Sequence, residues 1–158
     1  MLITIQWHAN LVISILNIYA PSFPTKNGQF WEKVKTQLIT WRIPKPDSMI
    51  GDFNIVEDGI NRLPCRHDNV LATEKLQELR NHLSLIDGWR TLSPNFKAYT
   101  HTQKPMMTKV RLDQRYATQR IVNTSLDWEI EESGIETHHE LISVIVTNPV
   151  APFIGKGR

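Results

Sequence analysis

Cysteine is nearly absent from this 158-residue sequence: only Cys65 is present, so no disulfide can close within the chain. That excludes a bridge-stapled scaffold and suits a reducing compartment. No apolar run approaches the ~20 residues that span a bilayer. The opening residues, MLITIQWHAN, lack the basic start of a secretory signal and read as a strand. The expected location is therefore intracellular. Also missing are G-x-G-x-x-G, G-x-x-x-x-G-K-[ST] and G-x-S-x-G. Their absence removes the sequence grounds for a dinucleotide site, a P-loop or a nucleophile elbow. There is no internal repeat and no low-complexity segment.

What is present is an ordinary globular mix, 41% hydrophobic and 22% charged. A chain of this length buries roughly 68–70% of its unfolded surface, enough for one domain with a real core. That domain is expected over residues 1–150, with 151–158 as a loop-like tail. The net charge is only +2, but it is unevenly spread. Residues 91–120 carry six Lys or Arg (Lys97, Lys104, Lys109, Arg111, Arg115, Arg120) against one acid, Asp113. Residues 121–150 carry six acids and neither Lys nor Arg. The basic stretch is either a solvated loop or a set of phosphate contacts.

Alternating β-branched residues predict a hairpin over Leu2–Ala20, and the nearly apolar second strand predicts burial on both its faces. A helix is expected over residues 28–41, with Phe30, Trp31, Val34 and Leu38 on one face and Pro44 and Pro46 beyond its end. SMIGDFNIV reads as a short strand with a polar tip. Residues 57–72 read as loop, and 73–85 as a second helix burying Leu76, Leu79 and Leu83. AYTHT, VRLDQRYAT, LDWEIEES and ELISVIVT read as strands. Strands and helices mix without strict alternation, which predicts a layered α/β domain with a mixed or antiparallel sheet.

Four polar groups interrupt the apolar strands: Asn17 and Tyr19 in NIYAPS, Asp52 and Asn54 in GDFN, Asp113 in RLDQRY, and His138 and His139 in THHELISV. Asp52 and Asn54 are two apart, so an extended backbone points both to one side, where oxygen ligands suit a water or a hard cation. A buried Asp113 suits the orientation of a histidine. Each group also has an ordinary reading. GDFN is turn chemistry, Tyr19 a core tyrosine, Asp113 a salt-bridge partner, and the histidines polar loop residues.

Taken in order, NIYAPS, GDFNIVED, RLDQRYAT and THHELISV resemble the endonuclease/exonuclease/phosphatase superfamily. The flanking QFWEKVKTQL, DGWRTLSPNFKAYTHTQ and PVAPFIGKGR look like the endonuclease domain of fungal LINE-type retrotransposons. The resemblance implies a DNase I-like layered β-sandwich with flanking helices. It also implies Mg²⁺-dependent hydrolysis of phosphodiesters by in-line attack of water, with DNA as the ancestral substrate and the nucleus as the place of work. On that resemblance Asp52 orients or deprotonates the water, Asn54 positions water or phosphate, and Tyr19 hydrogen-bonds a phosphate oxygen. His139 contacts the scissile phosphate as imidazolium, with Asp113 behind it. The basic residues Lys104, Lys109, Arg111 and Arg115 would track the DNA backbone.

Two departures from the pattern follow. Family members usually carry Asp-His where this chain has His138-His139. His138 therefore stands as a weak metal ligand in place of a carboxylate. The family's early Asn and metal-binding Glu belong to strands preceding LITIQWH, and no acid here precedes Glu32. The chain thus reads as the C-terminal two-thirds of such a domain, with one sheet edge left open. A non-catalytic remnant and a small-molecule phosphatase are the competing readings.

Overall fold

The computed structural model describes residues 1–8, 11–103 and 107–148. The expected tail and Lys104 lie outside the described residues. The elements are β1 (Leu2–His8), β2 (Leu11–Tyr19), α1 (Pro24–Thr40), β3 (Ser48–Asp52), β4 (Arg62–Leu63), α2 (Val70–Leu83) and β5 (Ile86–Asp87). They continue with α3 (Gly88–Leu92), β6 (His101–Gln103), β7 (Thr108–Val110), β8 (Asp113–Ala117), α4 (Gln119–Asn123), β9 (Ser125–Glu132) and β10 (Glu140–Val146).

A five-stranded mixed sheet runs in the order β1-β2-β3-β8-β5. β2 and β3 are parallel, while β3 and β8 are antiparallel. On one face α1 and α2 bury Trp31, Leu38, Leu76, Leu79 and Leu83 against Leu16, Ile18, Met49 and Tyr116. On the other, Ile13, Ala117, Ile121 and Val122 form a smaller core that Val146 of β10 also touches. The β9–β10 ribbon lies over this second face and leaves an intersheet cleft of about 550 Å³, lined by Ile15, Asn17, Ile50, Asp113, Arg115 and Ile142 among others. A short three-stranded sheet, β4-β7-β6, closes one end. The expected layered α/β sandwich with flanking helices is the observed architecture.

Both long helices are found, with earlier starts than expected. α1 begins at Pro24, whose fixed φ and missing N–H suit the first helical turn. α2 begins at Val70 because the Asn69 side chain accepts the Ala72 N–H at 3.1 Å. The hairpin is present, but β2 is covered on both faces only in its middle. Ile13 enters one core and Leu16 and Ile18 the other, whereas Leu11, Val12, Asn17 and Tyr19 are exposed. The reason is position: its neighbour β1 is the sheet edge and brings no further layer.

VRLDQRYAT is not one strand. Its backbone leaves β7 at Val110 and re-enters a different sheet as β8 at Asp113. Between them Arg111 turns inward, 1% exposed, onto Asp87. The Asp87 carboxylate also caps α3 by accepting the Arg90 N–H at 3.0 Å. Residues 57–72, expected as loop, contain a 3₁₀ turn (Gly59–Asn61), β4 and the first turn of α2.

Candidate active site

Strand register builds the site. β2, β3 and β8 are neighbours, and the pairs Tyr19↔Asp52 and Asp52↔Asp113 bring one end of each strand together. Gly51 makes this possible. Its φ is +128°, and a Cβ there would sit 2.0 Å from the Ile18 carbonyl oxygen, so the glycine of GDFN is a steric requirement. Phe53 anchors the same segment from within. It is fully buried, stacked on Trp31 (centroids 5.4 Å) and edge-on to Tyr116 (5.0 Å), and its carbonyl accepts Asn27 Nδ2–H at 2.9 Å.

Asp52 and Asn54 do meet, through a turn and not through strand alternation. Asn54 has φ +52°, so its backbone folds back on Asp52. The Asn54 N–H donates to Asp52 Oδ1 at 2.9 Å, and its Nδ2–H donates to Asp52 Oδ2 at 3.0 Å and to the Ala20 carbonyl at 2.9 Å. Burial raises the Asp52 carboxyl above its ordinary range, and the nearby Asp113 charge adds to this. The Asn54 N–H and the imidazoles of His139 and His101 oppose the rise.

His139 arrives from the segment before β10. Its Nδ1–H donates to Asp113 Oδ2 at 2.8 Å, and one donor atom each from Asp52, Asp113 and His139 lies within 4.8 Å of the others. Asp113 is itself fixed by its backbone N–H, which donates to Oγ1 of the buried Thr100 at 3.0 Å. Two carboxylates on adjacent strands are the usual protein share of a Mg²⁺ site completed by waters and substrate phosphate. The two carboxylates therefore fit a divalent ion, with His139, its Nδ1 on Asp113, standing beside them.

The other expected residues fare differently. Tyr19 stands at the end of β2 in register with Asp52, 81% exposed, and its hydroxyl makes no hydrogen bond among the described residues. His138 is exposed and outside the cluster; its carbonyl accepts the Thr102 N–H at 3.4 Å. Arg111 and Arg115 are corrections, because neither can serve a DNA backbone as placed. Arg111 donates to Asp87 and, at 3.1 Å, to Asn61 Oδ1. Arg115 is 9% exposed, lies over the Trp128 ring at 5.3 Å and reaches Ser48 Oγ at 3.4 Å; burial lowers its pKa to about 10. Lys109, half-buried in β7, keeps its ammonium free of any ion pair among the described residues.

One neighbour carried no mark in the sequence. His101 packs its ring 4.7 Å from that of His139, at 58°, and the two residues form a β-bridge. Burial and the adjacent His139 lower the His101 pKa, opposed by Asp113 and Asp52. The Thr-His of AYTHT was the visible trace, and it looks like any polar pair on a strand.

No family model matches the chain. Among curated proteins it is 26% identical over 148 residues to an uncharacterised 149 kDa protein of transposon TX1 from Xenopus laevis, covering 90% of this chain and 11% of that protein. Among solved structures it superposes on the endonuclease domain of TRAS1, a telomere-specific non-LTR retrotransposon, with a TM-score of 0.65 and 16% identity, over 92% of this chain and 60% of that one. A 3′ phosphatase from Neisseria, bound to a product DNA hairpin, gives a TM-score of 0.66 and 14% identity over 85% of this chain and 61% of that one. The fold is that of the endonuclease/exonuclease/phosphatase proteins. The chain spans about 60% of the length of these solved structures. Among the described residues no helix is long and apolar enough to cross a membrane.

Proposed function

We propose that this chain is part of a retrotransposon-type DNA endonuclease that hydrolyses phosphodiesters with Mg²⁺. The observation that carries the reading is the Asp113–His139 pair at 2.8 Å, held within 4.8 Å of Asp52. When bound, the ion would supply charge neutralisation at the phosphate. Asp52, raised by burial and held by Asn54, takes or orients the proton of the attacking water. Asn54 shapes that carboxylate. Its Nδ2 is already spent on Asp52 and Ala20, which makes it a positioning group. Asp113 fixes His139 by Nδ1; taking up a proton at Nε2 as the phosphate binds, the ring becomes an imidazolium whose Nε2–H donates to a non-bridging phosphate oxygen, where a preorganised donor counts most as charge develops. Tyr19, exposed at the same strand end, offers a hydroxyl to the phosphate from the other side. A genomic DNA substrate would place the work in the nucleus.

The competing reading is a non-catalytic remnant, favoured by the position of His138 outside the cluster, where the resemblance leads one to expect a carboxylate. Nicking of supercoiled plasmid by the 158-residue chain, with Mg²⁺ and with chelator, separates the two. The endonuclease reading expects Mg²⁺-dependent nicking that falls by at least about 100-fold in His139→Ala. No nicking, or nicking indifferent to His139→Ala, leaves the remnant.

A further inference from the structure

We propose that His101 is the positioning residue of His139: its ring and its backbone hold the His139 imidazole on Asp113. The role rests on three independent contacts, all within residues 100–102. The backbones meet in the His101↔His139 bridge, flanked by Glu140 N–H to the Thr100 carbonyl at 2.7 Å and Thr102 N–H to the His138 carbonyl at 3.4 Å. The rings meet at 4.7 Å and 58°, so one imidazole leans on the other. Thr100, fully buried beside His101, accepts the Asp113 N–H. A single three-residue segment therefore locates both members of the Asp113–His139 pair.

The chemistry explains why such a brace is needed. His139 lies outside any named strand, just before β10, and its N–H is given to the Thr137 hydroxyl at 3.2 Å. One hydrogen bond to Asp113 fixes one ring nitrogen but leaves the imidazole free to swing about that bond. A neighbouring aromatic face removes the swing without competing for either nitrogen. His101 makes no side-chain hydrogen bond among the described residues, which matches a packing role. It also lines a second recess together with Asn54, Arg66, Gln103 and Leu112.

In catalysis the brace rests on the phosphodiesterase reading, but its test does not. Long-range proton–nitrogen correlation spectra of the full chain report the tautomer of each imidazole. The proposal expects His139 to show the single Nδ1-protonated pattern in the parent and in His101→Phe, which keeps an aromatic face. In His101→Ala the pattern becomes averaged. His101→Gln, bulky but not aromatic, follows His101→Ala and replaces it should the alanine variant not fold. Where the parent nicks DNA, kcat falls about 10–100-fold in His101→Ala with KM little changed, and His101→Phe recovers most of it. An unaltered His139 spectrum in both non-aromatic variants overturns the proposal. So does a His101→Phe spectrum as averaged as that of His101→Ala, because the imidazole itself would then be what matters. An inactive parent whose His139 spectrum still responds to His101 sinks the enzymatic reading and leaves the brace standing.

Discussion

At the scale of residues, the sharpest consequence concerns Asp52. Its carboxyl is raised by burial, so the folded state holds the proton more tightly than the unfolded chain does. As pH climbs through the ordinary carboxylate range, the unfolded chain ionises first and stability is lost; above the raised value the full cost is in place. Asp52→Asn does not titrate and escapes this cost. The melting temperature of Asp52→Asn relative to the parent should therefore improve as pH rises from about 3 to 7. Asp52 is only half-buried, so solvent screening keeps the change small. Losing the acceptor for Asn54 Nδ2 shifts both ends of the comparison equally. Thermal melts across that pH range decide it, and a difference that stays flat or runs the other way would refute a raised Asp52.

At the scale of elements, Arg111 decides where one strand stops and the next starts. It is 1% exposed and paired with Asp87, itself the cap of α3, so it ties β8 to β5 and α3. Arg111→Ala leaves the partly buried Asp87 with only the Arg90 N–H among its described hydrogen-bond donors, and lowers stability by about 1–3 kcal/mol. A DNA-contacting arginine would behave otherwise, weakening binding and leaving the melting temperature unchanged, so denaturant unfolding of Arg111→Ala separates the two roles. The same residue marks the limit of what the sequence could tell. α1 and α2 were legible because Trp31, Leu38, Leu76, Leu79 and Leu83 recur at helical spacing. The break at 111–112 was not, because a charged side chain turning into the core leaves no periodic trace. Nor were β5, α3 and α4, which at two to five residues are too short to show a period. In the site, the motifs located Asp52, Asp113 and His139. Asn54 meets Asp52 through a left-handed turn, which cannot be seen in alternation. His101 was hidden because its importance comes from a partner 38 positions away. β1 ends its sheet with Leu2, Ile3 and Ile5 exposed, and the flank of β10 beyond Glu140 faces no ladder partner among the described residues.

At the scale of the whole molecule, the basic stretch 97–120 changes meaning once folded. Arg111 and Arg115 are interior, and Arg120 is committed to Asp47 at 2.6 Å. Among the described residues of this stretch, Lys97 and Lys109 are the basic side chains neither interior nor ion-paired. Lys109 is the informative one, because β7 pairs directly with β6: Lys109 opposes Thr102, and the neighbouring pair is His101↔Val110. A phosphate contacted by Lys109 would thus lie on the face of this small sheet that Thr102 shares, opposite to the face presented by His101 and Val110. Each phosphate neutralised on duplex DNA contributes about 0.9 to the slope of log affinity against log salt. Lys109→Ala should therefore flatten that slope by about one unit and weaken binding alike across unrelated sequences. Arg115→Ala offers the contrast. Its guanidinium is buried over Trp128, so its loss should lower the melting temperature and leave the salt slope where it was. The two variants move opposite observables, and that opposition is the test. A slope that responds to Arg115 and ignores Lys109 would mean that DNA approaches through the intersheet cleft, which Arg115 lines together with Asp113, and not across the face formed by β6 and β7.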